Sequence, residues 1–270
     1  MIEIDVDFQK KIGGQKTFEY FMNIQGEVYR DIDDRKTSRF FVDGEGFFIK
    51  QHFGIGWKEI FKNLVQLKLP ITGAKNEYEA INKLKALHID TMDIVGFSQQ
   101  GFNPARLQSF LITRELDNTI SLEDYCANWP EHPPVYREKK LLIQTVAEIV
   151  KKMHDNGINH RDLYICHFLM KKTDNVPDPL CQDRCRLFLI DLHRTQIRKN
   201  VPERWLVKDL GGLFFSAMDI GLTKRDLLRF IKIYRGNSLR KIFERETGFW
   251  QKIEHKANVL YGRPESKKKR

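Results

Sequence analysis

The chain has 270 residues, with 46 Lys and Arg against 36 Asp and Glu, a formal net charge of +10, and 41% hydrophobic residues. That apolar content supports a folded core and excludes wholesale disorder, and no run of ~18 uncharged apolar residues is present to cross a bilayer. The four cysteines (Cys126, Cys166, Cys181, Cys185) are too few and too scattered for a disulfide framework, which points to a reducing, cytoplasmic compartment. The acidic opening MIEIDVDFQKK lacks the apolar run of a secretory signal. The positive balance calls for an anionic partner or substrate without saying which.

Residues 18–53 read as β. Strands at 26–30 and 39–42 flank a polar connection, 31–38, and the turn Asp43-Gly44-Glu45-Gly46 leads into a third strand at 47–50. The period then changes. Trp57, Ile60, Phe61, Leu64 and Leu67 recur at helical spacing, with Lys58, Lys62 and Lys68 largely elsewhere on the wheel, until Pro70 ends the helix 57–69. A second helix, 76–87, carries Tyr78, Ile81, Leu84 and Leu87 on one stripe, and strands at 92–97 and 107–113 follow. Beyond a polar crossing near residue 115 the chain turns helical. Leu142, Val146, Ile149, Val150 and Met153 share one face of a helix at 136–153, and Gly157 sits where its C-terminal cap belongs. Strands at 168–171 and 186–190 bracket a polar loop, 172–185, and further helices occupy 210–234. The expected class is α+β: a β-rich lobe over 1–115, with an amphipathic helix at 57–69 and a helix at 76–87, then a mainly helical lobe over 116–270. A ligand would sit in the cleft between such lobes.

The chemistry-bearing residues fall in one order. Lys50 ends a strand, Glu77 lies in the following helix, His160-Arg161-Asp162-Leu163 follows the capped helix, and Asp191 ends the apolar strand Leu187-Phe188-Leu189-Ile190. Their separations are 77 − 50 = 27, 162 − 77 = 85 and 191 − 162 = 29. Taken alone, a lysine at a strand end is a solvated side chain and an aspartate after a strand is a turn residue. Together the four match the protein-kinase signature of strand Lys, helix Glu, HRD loop and metal-binding Asp. Phosphoryl transfer needs those types: a cation on the α/β-phosphates (Lys50, held by Glu77), a carboxylate for Mg²⁺ (Asp191) and a carboxylate that takes or orients the hydroxyl proton (Asp162). The backbone at Arg114 and Leu116, just past the last small-lobe strand, is placed against adenine.

The departures also inform. The loop runs HRDLYICH, so His167 stands where protein kinases place a metal-binding Asn, and imidazole is the poorer Mg²⁺ ligand. Asp191-Leu192-His193 replaces D-F-G, no A-P-E follows, and the first hairpin lacks G-x-G-x-x-G. Without an activation segment a small or lipid-linked acceptor is favoured over a docked protein. Cys181-x-x-x-Cys185 with His167 or His193 lacks the second pair that a zinc site needs, so free thiols are expected. His52 and His154 are read as surface or packing residues.

The runs RDIDDRKTSRFFVDGEGFFIKQHFGIGWKEI, AKNEYEAINKL, HRDLYICHF and IDLHR, with KDLGGLFFSAMDIGLTKRDLLRFIKIYRG, resemble the lipopolysaccharide core heptose(I) kinases of Gram-negative bacteria. The resemblance covers nearly the whole chain. It implies a bilobal protein-kinase-like fold and ATP-dependent phosphorylation of the first heptose of the inner core, at the cytoplasmic face of the inner membrane. It also implies that Asp162 is catalytic, that histidine at 167 is normal for the family, and that Asp209 anchors the HRD backbone. The expected cofactors are ATP and Mg²⁺; the expected partners are the lipid-linked core acceptor and an anionic membrane surface or acidic protein, with no nucleic acid. The alternatives are a small-molecule or protein kinase of the same fold, and a pseudokinase scaffold that binds an acidic partner. The 57–69 helix either packs on its own lobe or meets lipid or a protein partner, and the basic tail 266–270 is read as a solvated end.

Overall fold

The computed structural model describes residues 2–32, 34–65, 73–172 and 185–262. The described residues divide into two compact units: Met1–Lys85, Thr91–Asp117 and Leu192–Arg194 make one, and Ala86–Asp90, Asn118–Asp191 and Thr195–Arg270 the other.

The first unit opens with β1 (Glu3–Ile4), α1 (Val6–Lys11) and α2 (Phe18–Met22), continues through β2 (Glu27–Ile32), β3 (Arg35–Val42), β4 (Glu45–His52), α3 (Gly56–Val65) and α4 (Lys75–Ala86), and closes with β5 (Ile94–Gln100) and β6 (Gln108–Arg114). Its six strands form one sheet in the order β1-β5-β6-β4-β3-β2, every neighbour antiparallel. Period-2 alternation in β4 turns Phe47, Ile49 and Gln51 inward and leaves Lys50 on the opposite face. The inward face packs on Phe8 of α1 and on Phe18 and Phe21 of α2, with Phe110 and Ile112 of β6. Phe8 lies 4.8 Å from Phe47 and Phe21 lies 4.7 Å from Phe110, ring centre to ring centre.

The polar connection expected at 31–38 is corrected here. Most of it is strand, with Ile32 paired to Arg35 and residues 35–38 laddered against 49–52 of β4. One face of an antiparallel ribbon can face water, so charged residues there do not break it. α1 and α2, unforeseen in the sequence, are too short to show a 3.6-residue period; Asp5 and Thr17 cap them through side-chain oxygens. Of the helix expected over 57–69, the described part is α3, and residues 66–69 lie outside the described residues.

The second unit runs β7 (Thr119–Ser121), α5 (Leu122–Cys126), α6 (Tyr136–Asp155), β8 (Ile158–Asn159), β9 (Phe168–Lys171), β10 (Leu187–Leu189), β11 (Gln196–Ile197), α7 (Glu203–Ser216), α8 (Lys224–Arg235) and α9 (Leu239–Tyr261). Two small antiparallel sheets, β10-β9-β7 and β11-β8, display the loops between helices. α6 buries Leu142, Val146, Val150 and Met153, the stripe read from its sequence. Gly157 follows its cap at φ +76°, and a Cβ there would sit 1.8 Å from the Arg198 carbonyl oxygen, so only glycine fits. α9, the longest helix at 23 residues, lies beyond the last helix expected from sequence and is kinked at Glu246. No described helix is long and apolar enough to cross a membrane.

Candidate active site

In the first unit, the outward face of β4 presents Lys50, held in register between Thr37 of β3 and Leu111 of β6. Its Nζ lies 2.6 Å from Glu77 Oε1 on α4. Glu77 is 2% exposed, so the ammonium facing it is the charge that offsets the loss of water around its carboxylate. The neighbouring Asn76 donates through Nδ2 to the His193 carbonyl at 2.9 Å, which ties α4 to the turn that follows Asp191. His52, read as a surface or packing residue, is buried two positions beyond Lys50. Burial, and then the charges of Arg35, Lys50 and His193, push its pKa down to about 4 and keep it neutral. Arg114 ends β6: its N–H donates to the Asp93 carbonyl at 2.8 Å, its guanidinium pairs with Glu45, and the next N–H, of Glu115, donates to Gly46 at 2.9 Å. The Arg114 N–H is thus already engaged, and Leu116 lies two residues beyond the strand.

In the second unit the loop after β8 is built on Asp209 of α7. This fully buried carboxylate accepts from the His160 N–H and the Arg161 N–H, both at 2.7 Å, while His154 Nε2 lies at 3.4 Å. Those bonds fix Arg161 at φ +74°, a left-handed conformation that a non-glycine residue holds only when its surroundings impose it. Gly212 matters to the same approach: a Cβ there would come within 3.0 Å of the Leu163 carbonyl oxygen. His154 is thus a packing residue, its other ring nitrogen 2.8 Å from the Tyr234 hydroxyl.

A backbone carbonyl fixes one ring nitrogen as the donor in each of two histidines. His160 Nε2 lies 3.0 Å from the Ile190 carbonyl and must donate to it, and burial holds this imidazole neutral. His167 Nδ1 lies 2.8 Å from the Asp162 carbonyl and must likewise donate. His167 Nε2 faces Asp191 Oδ2 at 3.5 Å. Asp191 itself stands at φ +60°. Among the described residues no three His, Cys, Asp or Glu side chains gather as a metal cage. Asp191 is a carboxylate of the kind that holds Mg²⁺ when phosphate and water complete the shell, with the His167 imidazole beside it.

Asp162, 17% exposed, has a neighbour that sequence reasoning missed: Lys208 Nζ at 3.6 Å. Lys208 precedes Asp209 on α7, and its signal was present in the KDLGG run, where only the aspartate was singled out. Arg161, Arg198 and Arg204 gather with Lys208 around the ring of Trp205. Thr195, just past the turn that follows Asp191, is buried at 1% exposure. Cys126, Cys166 and Cys185 are free thiols whose pKa burial pushes up to about 12, about 11 and about 11; Cys181 lies outside the described residues. Elsewhere, an apolar cavity of about 530 Å³ opens among α6, α7, α8 and α9, lined by residues such as Leu142, Phe214, Leu227 and Trp250. On α3 the expected apolar stripe divides: Ile60 is buried, whereas Trp57 and Phe61 are 51% and 60% exposed.

A lysine on a six-stranded antiparallel sheet held by a helical glutamate, and an HRD loop pinned to a helix aspartate ahead of an aspartate just past a strand, define a kinase-like fold. The solved structure titled "WaaP in complex with acyl carrier protein" superposes with a TM-score of 0.82 at 40% identity, over 97% of this chain and 99% of that one. The family model described as the lipopolysaccharide kinase (Kdo/WaaP) family matches residues 19–234, and the chain belongs to that family. It is 45% identical to the lipopolysaccharide core heptose(I) kinase WaaP of Escherichia coli K12, over 99% of both chains. It is 46% identical to the protein of the same name from Pseudomonas aeruginosa, over 96% of both.

Proposed function

We propose that this protein transfers the γ-phosphoryl group of ATP to a hydroxyl of the first heptose of the lipopolysaccharide inner core. The observation that carries the reading is likeness along the entire chain to kinases of that name, with Asp162 present in an anchored HRD loop. In this reading Lys50, aimed by Glu77, binds the α- and β-phosphates, and the chain at Arg114 and Leu116 meets adenine. Asp191 and His167 would hold Mg²⁺, which supplies positive charge against the phosphate oxygens. Asp162 takes the hydroxyl proton as the sugar oxygen bonds to the γ-phosphorus and ADP leaves. The hydrogen bond from His167 to the Asp162 carbonyl keeps that carboxylate in place. Only 17 residues, 192–208, lie between Asp191 and Asp209, and they contain no A-P-E, which favours a sugar acceptor over a docked protein.

The acceptor is lipid-linked, so the site of work is the cytoplasmic face of the inner membrane, with peripheral attachment. The exposed Trp57 and Phe61 on a helix that also bears Lys58 support contact with an anionic lipid surface. The +10 charge equally suits an acidic carrier protein of the kind the solved relative binds, and the apolar cavity suits an acyl chain better than a sugar.

The test is transfer of label from γ-labelled ATP to core oligosaccharide isolated from cells lacking this gene. Wild-type protein is expected to label heptose, and Asp162→Asn to lower kcat by about 10²- to 10⁴-fold. No label on heptose with wild type would end the reading; equal labelling by the variant would end the role given to Asp162.

A further inference from the structure

Three separate stretches of the second unit bring cations to one indole. Arg161 comes from the HRD loop, Arg198 from just past β11, and Arg204 and Lys208 from the first turns of α7; their charged groups lie 5.0, 5.8, 5.2 and 5.7 Å from the centre of the Trp205 ring. An aromatic face attracts cations and holds guanidinium planes in place, but it does not neutralise them. Arg198 donates to two neutral oxygens, Asn159 Oδ1 and Gln196 Oε1, each at 2.6 Å. Burial and the neighbouring Arg204 charge already hold its pKa below the usual arginine value. Among the described residues no carboxylate comes within 4.0 Å of Arg198 or Arg204, and Glu203, the acid beside them in sequence, is turned to Lys252 at 2.7 Å. The stretch 195–208 carries four basic residues against one acidic, a net +3 in 14 residues, where the whole chain has +10 in 270. One member of the cluster, Lys208, reaches to 3.6 Å from Asp162, which places the rest beside the carboxylate that engages the acceptor hydroxyl.

We propose that Arg198 and Arg204, with Lys208, form a subsite for an anionic group of the acceptor saccharide, a carboxylate or a phosphate, next to the sugar that receives the phosphoryl group. This deepens the reading given above and rests on it for the identity of the acceptor. The guanidinium fork matches either oxyanion with paired N–H donors. A keto-sugar acid such as Kdo presents such a carboxylate, and a phosphorylated sugar presents the alternative. Binding that anion relieves the mutual repulsion of the cluster and sets which hydroxyl of the neighbouring ring lies at Asp162. The cluster is then a device of specificity that acts on the substrate and leaves nucleotide binding alone.

The experiment measures initial rates for wild type, Arg204→Gln and Arg198→Gln, varying core oligosaccharide and ATP separately. Three acceptors are used: intact, carboxyl-reduced and dephosphorylated. The expected result is a rise of about 10-fold in the KM for intact acceptor in each variant, one charge-assisted pair's worth of affinity, with kcat and the ATP KM within about threefold of wild type. If a carboxylate occupies the subsite, wild type loses the same factor on the carboxyl-reduced acceptor and the variants lose nothing more; if a phosphate does, that pattern moves to the dephosphorylated acceptor. Arg240→Gln, which removes one charge on α9 outside the cluster, is expected to leave every constant unchanged. An unchanged acceptor KM in Arg204→Gln, or an equal loss on all three acceptors, overturns the proposal. Arg204 lies exposed on the first turn of α7, so this variant keeps the fold, checked by thermal unfolding, even if loss of the Arg198 bonds perturbs the other. Should wild type transfer phosphate to none of the acceptors, the heptose-kinase reading falls, and calorimetric titration of the same oligosaccharides judges the subsite. Binding weakened about 10-fold in Arg204→Gln supports it; equal binding, or none to wild type, overturns it.

Discussion

Glu77 shows how much a single side chain can depend on one other. Its carboxylate is almost wholly withdrawn from water and faces one ammonium at 2.6 Å. Lys50→Met removes that ammonium and strands the charge. Because Lys50 is itself about a quarter exposed, water can partly take its place, and the expected cost is about 2 kcal/mol, below the value for a wholly buried pair. Urea denaturation checks this, and Lys50→Met/Glu77→Gln is expected to recover most of the loss. If the double variant is as unstable as the single, the pair is not what stabilises α4. The Lys50–Glu77 contact and the nearness of His167 to Asp162 and Asp191 were legible in the sequence because those residue types fall in an informative order along the chain. Lys208, Arg198 and Arg204 were not, because a basic residue that lines a site and one that faces solvent look alike until the backbone brings them to Trp205.

Among the elements, α7 does the positioning. Its Asp209 spends both oxygens on consecutive N–H groups of the HRD loop, and its Gly212 lets the helix lie against that loop. Asp209→Asn keeps one acceptor oxygen and sets an N–H₂ group against a backbone N–H. The expected loss is about 2–4 kcal/mol of stability, in the range of charge-assisted hydrogen bonds to a buried acceptor. It is to be read by chemical denaturation, with faster amide exchange at His160 and Arg161 as the local sign; protection at wild-type level would contradict the anchoring role. Long periodic elements such as α6 were plain from their apolar spacing, as was the alternation of β4. The short helices α1 and α2 were hidden by their length, and the strand ends in β2 and β3 by charged side chains on a face that water reaches. α9 escaped because its buried positions, Ile242, Ile253 and Ala257, are sparse and interrupted by the kink at Glu246.

For the molecule as a whole, acid is the stress to which the fold is least suited. His52 holds its pKa near 4 in the folded chain, against about 6.5 when unfolded, and His160 is shifted the same way by burial. A depressed histidine pKa means that, as pH falls from about 6.5 towards 4, the unfolded chain takes up a proton that the folded chain refuses, so stability declines over that window and levels off below it. For His52 alone the decline amounts to about 2 kcal/mol between pH 7.5 and pH 5. Denaturation midpoints across that range check the slope, which His52→Gln is expected to flatten. The added protons also fall on a chain that already carries +10, so self-repulsion works in the same direction.

The brevity of the stretch from Leu192 to Lys208 reaches beyond acceptor choice. Many kinases are silent until a hydroxyl in the corresponding segment is itself phosphorylated and recruits arginines to order it. Here that stretch holds one hydroxyl-bearing residue, Thr195, and it is sealed inside the protein. A phosphorylation switch of that design therefore finds no exposed hydroxyl in this stretch to act through.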